Sequence, residues 1–237
     1  MTYCVGLLLD AGIVLLSDTR TNAGLDNIAT YRKMFTFEGP DRVITVLTAG
    51  SLSITQNTIG RLNEGIALDE GRSILTCQTM SEVAEIIGDT LSSVTQSVRE
   101  KMERMSQAAS ATMLVAGQRA GGEMRLFLIY PEGNSIEATA DTPFLQIGEH
   151  KYGKPILDRV VRPTTSIADG RKAVLLSMDS TLRSNLSVGM PLDLAVIEKD
   201  ALRVTERSRI EANDPAFMKM SADWSDALRR GFETIEI

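Results

Sequence analysis

The stretch Thr2-Tyr3-Cys4-Val5-Gly6-Leu7-Leu8-Leu9-Asp10-Ala11-Gly12-Ile13-Val14-Leu15-Leu16-Ser17-Asp18 decides how the chain is built. Two apolar runs, residues 3–9 and 12–18, flank the turn Asp10-Ala11-Gly12, a pattern that predicts a β-hairpin. The first strand then begins directly at Thr2, so a reactive group on that residue is anchored by strand hydrogen bonds although it lies at a chain end. Asp18 falls at the exit of the second strand.

Working outward, the first thirty-three residues offer a hydroxyl, a carboxylate and an ammonium. Removal of Met1, which the small side chain of Thr2 permits, puts a nucleophile (Oγ1) and a base (the new α-amine) on one residue. A free α-amine has a pKa of about 7.7–8.0, so part of it is neutral and able to take the hydroxyl proton. Lys33 would disfavour a second ammonium nearby and keep that amine unprotonated, with Asp18 holding Lys33 in place. The same residues also admit a plain reading: a Thr after Met by chance, Asp18 closing a strand, Lys33 as a solvated charge.

The 237 residues are 43% hydrophobic, ordinary for a globular protein, with no linker or repeat, and are expected to form a single domain over 1–237. No apolar run approaches a transmembrane span and no secretory signal opens the chain, which predicts a cytoplasmic protein without membrane contact. The net charge of -6 is spread along the chain, with no basic patch to suggest a nucleic-acid partner. Cys4 and Cys77 lack metal-ligand or redox spacing, and one histidine, His150, cannot build a histidine zinc site, so no metal or cofactor is expected.

Downstream, Asn22-Ala23-Gly24 supplies a turn before an extended stretch around residues 27–29. Lys33 opens a strand over 34–37, and 42–48 reads as the next, ending in Thr48-Ala49-Gly50-Ser51 before a helix carrying Leu52, Thr55, Ile59, Leu62 and Ile66. Gly50 at this junction can aim a backbone N–H at a developing oxyanion, or can be a turn glycine only. Thr79-x-x-Glu82 caps a second helix reaching Met105. Strands at 112–118 and 124–130 follow, then an extended stretch over 136–147 and a helix around 152–160. A further helix is capped by Ser166-x-x-Asp169, then come a hairpin of 192–197 with 202–209 and a last helix after Asp214-Pro215. Segregated hairpins and helix pairs predict an α+β architecture in which sheets pack together under helices.

Thr2 at the start of strand one, Ser17-Asp18-Thr19-Arg20-x-x-Ala23-Gly24, Lys33, and Thr48-Ala49-Gly50 before a helix together resemble a proteasome β-type subunit. Gln146-Ile147-Gly148-Glu149-x-Lys151-Tyr152-Gly153-Lys154-Pro155 narrows the resemblance to the bacterial Anbu branch. The resemblance implies a four-layer αββα sandwich of the N-terminal-nucleophile hydrolase type. It implies a threonine-type peptidase acting on peptides or unfolded proteins, in a homo-oligomeric ring or open spiral; whether an unidentified ATPase is a further partner is left open by the sequence. It implies Thr2 as nucleophile and base, Asp18 and Lys33 as its support, Gly50 at the oxyanion, and Thr21, Thr48, Leu52 and Gln56 lining a small pocket of mixed polarity without sharp preference.

Two departures accompany the resemblance. The Asp-x-x-Ser-Gly of β-subunits corresponds to Ser184-Asn185-Leu186-Ser187-Val188-Gly189, which places Ser184 and Ser187 beside the amine and replaces a carboxylate by a serine. Glu149 stands where a serine is usual, and its charge would raise the amine pKa. Two other readings share the fold: a small-molecule amidase or transpeptidase, and a catalytically silent assembly protein.

Overall fold

The computed structural model describes residues 2–22, 28–68, 71–102 and 109–236. Strands β1 (Tyr3–Leu9) and β2 (Gly12–Asp18) form the expected hairpin, in register from Cys4 opposite Ser17 to Leu9 opposite Gly12. They are the centre of a sheet that continues through β10 (Phe144–Gly148) on one side and β11 (Leu192–Glu198) and β12 (Glu206–Ile210) on the other. A second antiparallel sheet runs β5 (Met34–Gly39), β6 (Arg42–Gly50), β7 (Ala111–Arg119), β8 (Arg125–Ile129) and β9 (Ser135–Glu137). β3 (Arg20–Asn22) and β4 (Ile28–Thr30) make a separate ribbon between β2 and β5.

Side-chain alternation turns these sheets into layers. Tyr3, Val5 and Leu7 of β1 and Val14 and Leu16 of β2 face Leu157 of α3 (Lys154–Val160) and Val174 and Met178 of α4 (Ile167–Ser184). The opposite faces, with Cys4, Ile13 and Leu15, meet Val43, Leu47, Leu114 and Leu126 of the second sheet. That sheet's outer face, with Ile44, Val46, Val115 and Phe127, packs on α1 (Leu52–Ala67) and α2 (Met80–Met102). The result is helix, sheet, sheet, helix: the αββα sandwich. Because β1 and β2 are covered on both faces, they read as unbroken apolar runs. At about 1.5–3 kcal/mol per buried large apolar side chain, this hairpin contributes heavily to the core.

Helix starts follow local chemistry. Thr79 Oγ1 accepts the Glu82 N–H at 3.1 Å while the Glu82 carboxylate accepts the Gln78 N–H at 2.7 Å. Ser166 and Asp214 cap α4 and α5 (Pro215–Glu233) through the N–H groups of Asp169 and Phe217.

Some boundaries differ from the sequence reading. The extended stretch over 136–147 divides: β9 borders the second sheet and β10 the first. Thr139 and Thr142 exchange backbone hydrogen bonds at 3.1 Å and turn the chain across the sandwich before Pro143. The last strand begins at Glu206, because Asp200 and Leu202 take left-handed φ values of 62° and 53° that interrupt pairing. The helix expected from Tyr152 begins at Lys154, with Pro155 in its first turn. The turn at Ala23-Gly24 and the end of the second helix at Met105 lie outside the described residues.

Candidate active site

β1, β2 and the approach to β5 converge on Asp18. Its carboxylate is wholly buried. Oδ1 accepts the Lys33 ammonium at 2.8 Å and the Tyr3 N–H at 3.1 Å, and Oδ2 accepts the Gly189 N–H at 3.2 Å. Burial pushes the Asp18 carboxyl up from its ordinary range; the Lys33 charge and these hydrogen bonds pull against that rise. The Lys33 ammonium also donates to the Arg20 carbonyl at 2.5 Å, so two of its three protons are engaged and one is left for the pocket it lines.

That pocket, about 70 Å³, is lined by Thr2, Lys33 and Gly50 together with Thr21, Thr48 and Leu52. Thr2 is buried and held from both neighbours. Its carbonyl accepts the Glu149 N–H at 2.7 Å, and the next N–H, of Tyr3, is the one on Asp18. Gly148 has φ +80° and lies so close to the Thr2 carbonyl that any Cβ there would collide with it. The Thr2 hydroxyl has no hydrogen-bond partner among the described residues. Met1, whose removal would free the amine, lies outside them.

Gly50 ends β6 with φ +108°, and a Cβ at this position would stand 2.4 Å from the Ser110 carbonyl oxygen. Only glycine fits, and α1 begins two residues later. Cys4, behind the site, is a buried thiol pushed up by burial and by the Asp18 charge, so it stays neutral.

Not every residue singled out from the sequence reaches this pocket. Gln56 is exposed and outside the lining, and Thr55, on the same first turns of α1, takes that place. Ser184 is exposed at the end of α4. Ser187 folds onto Asn185, whose side-chain oxygen accepts both its N–H at 3.0 Å and its hydroxyl at 2.5 Å. What this segment presents to Asp18 is the backbone N–H of Gly189. Arg20 secures the segment by donating to the Leu186 carbonyl at 2.8 Å, and Thr19 by donating to the Pro191 carbonyl at 2.6 Å. Arg32, Ala49 and Thr55 line the pocket without having been singled out for it. Arg32 is signalled only by its place beside Lys33.

This arrangement is the four-layer sandwich of the N-terminal-nucleophile hydrolase type. A sequence profile of the proteasome subunit family matches residues 2–197. The chain belongs to that family, and its place within it is with Anbu, the bacterial homologue of the proteasome β-subunit. It is 46% identical to a mutant Anbu from Hyphomicrobium sp. strain MC1, covering 100% of this chain and 99% of that one at a TM-score of 0.93. It is 39% identical to Anbu (ancestral beta-subunit) from Yersinia bercovieri over 99% of this chain and 98% of that one, with a TM-score of 0.92. A helical assembly of the Anbu complex from Pseudomonas aeruginosa is 42% identical over 99% and 97%, with a TM-score of 0.89. No curated protein sequence matches the chain.

Proposed function

We propose that the protein is a threonine-type amide hydrolase, a peptidase that uses Thr2 once Met1 is removed. The observation that carries this reading is the Lys33 ammonium: fixed by Asp18 and the Arg20 carbonyl, it lines the same small pocket as the Thr2 side chain and Gly50. In the reaction, the α-amine takes the Oγ1 proton as the oxygen attacks the substrate carbonyl carbon. The oxyanion gathers at the Gly50 N–H, and the C–N bond breaks as the amine returns the proton to the leaving nitrogen. Water then attacks the ester on Thr2 by the same proton relay and releases the acid. Lys33 disfavours an ammonium on the neighbouring amine, which keeps the base in its working form near neutral pH. Ser184 and Ser187 take no part in this scheme.

The helical assembly of the Pseudomonas aeruginosa relative supports a homo-oligomeric working form, an open spiral, for this chain as well. Peptides or unfolded chains are then its substrates. Intact mass spectrometry with a peptide epoxyketone, which requires both a Thr hydroxyl and a free α-amine, tests the reading. Loss of Met1 with one adduct per chain, abolished in Thr2→Ala, is the expected result. A retained Met1 without adduct would instead favour a silent assembly protein, and an adduct with turnover confined to small amides would favour an amidase.

A further inference from the structure

Of the residues that line the 70 Å³ pocket, Lys33 and Arg32 are the two that carry charge. The Lys33 charge is cancelled by Asp18 at 2.8 Å. Arg32 is exposed and has no hydrogen bond or ion pair with any described residue. It also borders a neighbouring cleft of about 250 Å³, between the edge strands β5 and β12, but the cations of that cleft are already matched. Arg209 pairs with Asp193 at 2.9 Å and with Glu211 at 3.5 Å, and Arg207 lies 4.0 Å from Glu38. Arg32 thus brings a positive charge without an ion-pair partner among the described residues to the lining of the pocket that holds Thr2.

The rest of that lining suits an anion with hydrogen-bond acceptors. The Thr21 and Thr48 hydroxyls have no partner among the described residues, and Thr48 is 3% exposed. An unpartnered hydroxyl in a pocket lining can donate to a ligand, and a carboxylate accepts from hydroxyls and guanidinium together. The volume suits a short side chain. No carboxylate of the described lining competes for the position.

We propose that Arg32 is the specificity-determining residue of this pocket, and that it selects a short carboxylate side chain, aspartate foremost, on the residue preceding the cleaved bond. This rests on the reading of the pocket as the one that receives that residue. The preference is modest, because Arg32 is exposed and its pairing is screened: about fivefold over an uncharged side chain of similar size.

The test separates the two readings by measuring binding without chemistry. Fluorescence anisotropy is recorded for labelled tripeptide amides ending in aspartate, leucine or lysine on the full-length, assembled Thr2→Ala protein. The aspartate peptide should bind about fivefold tighter than leucine, with lysine weakest. Arg32→Glu should invert the order of aspartate and lysine, and Arg32→Lys should keep it. Equal binding of the three, absence of binding by any, or an order unmoved by Arg32→Glu overturns the proposal. So does a leucine peptide with a free carboxyl terminus that binds as well as the aspartate amide, since Arg32 would then hold a terminal carboxylate. The nucleophile reading fails separately: expected binding with no epoxyketone adduct on the unmutated chain refutes Thr2 chemistry and leaves Arg32 selective. Adduct rates equal for aspartate, leucine and lysine epoxyketones refute the selectivity and leave Thr2 reactive.

Discussion

Lys33 Nζ stands 2.8 Å from Asp18 Oδ1, with the two side chains 6% and 0% exposed. Removing either partner leaves the other buried and uncompensated, which costs about 3 kcal/mol or more. Asp18→Asn and Lys33→Met should each lose about that much in urea unfolding, and the double variant should recover a good part of it. All three should fail to react with an epoxyketone, since none retains an ammonium fixed beside Thr2.

The pH dependence follows from burial at the same residue. With its carboxyl raised, Asp18 takes up a proton at a pH above the ordinary value of about 3.9, and loses its hold on the Lys33 charge there. The acid limb that Asp18 contributes to kcat/KM should therefore lie above the ordinary carboxylate value of about 3.9. The native state also holds this proton more tightly than the unfolded chain. Stability from this group is thus present below the unfolded value and lost as pH rises through the raised native value. The wild-type unfolding free energy should therefore lose this group's contribution as pH rises across that range, which urea unfolding at closely spaced pH values checks.

Gly50→Ala should be far more damaging than Gly121→Ala. Both glycines have positive φ, +108° and +72°, but a Cβ at Gly121 meets nothing within 4 Å whereas one at Gly50 meets the Ser110 carbonyl at 2.4 Å. Calorimetry should show a loss of about 1 kcal/mol for Gly121→Ala and more than 2 kcal/mol for Gly50→Ala. The Gly50 variant should also lose acylation rate, because its N–H is displaced.

Ser184→Ala should leave adduct formation unchanged, its side chain being exposed at a helix end. Arg20→Ala should slow it instead, since the bond to the Leu186 carbonyl fixes the segment whose Gly189 N–H holds Asp18. Adduct rates by mass spectrometry for the two variants at equal concentration check this ordering.

The parts of the site carried by side-chain type were legible in the sequence: Thr2, Asp18 and Lys33, and the glycine at a strand-to-helix junction. So was the packing of sheets under helices, from the segregated hairpins and helix pairs, while the four-layer order was implied by the family resemblance. What escaped was carried by backbone atoms or by geometry between distant segments. The Gly189 N–H and the Arg20 carbonyl leave no mark in residue identity, whereas the side chains of Ser184 and Ser187 in the same segment do. Gln56 and Thr55 lie on the same turn of α1, and which of them meets the pocket depends on how the helix is rotated against β6. The division of 136–147 between two sheets depends on the turn between Thr139 and Thr142, in a stretch whose composition suits either sheet.

Asp18 is held by donors from residues 3, 33 and 189, positions that span most of the chain. The carboxylate therefore gains its full set of donors only once the segment around Gly189 has folded against the first hairpin. If Thr2 acts as proposed, the site is assembled by segments from both halves of the chain, and its competence is a property of the whole fold and not of the first hairpin alone.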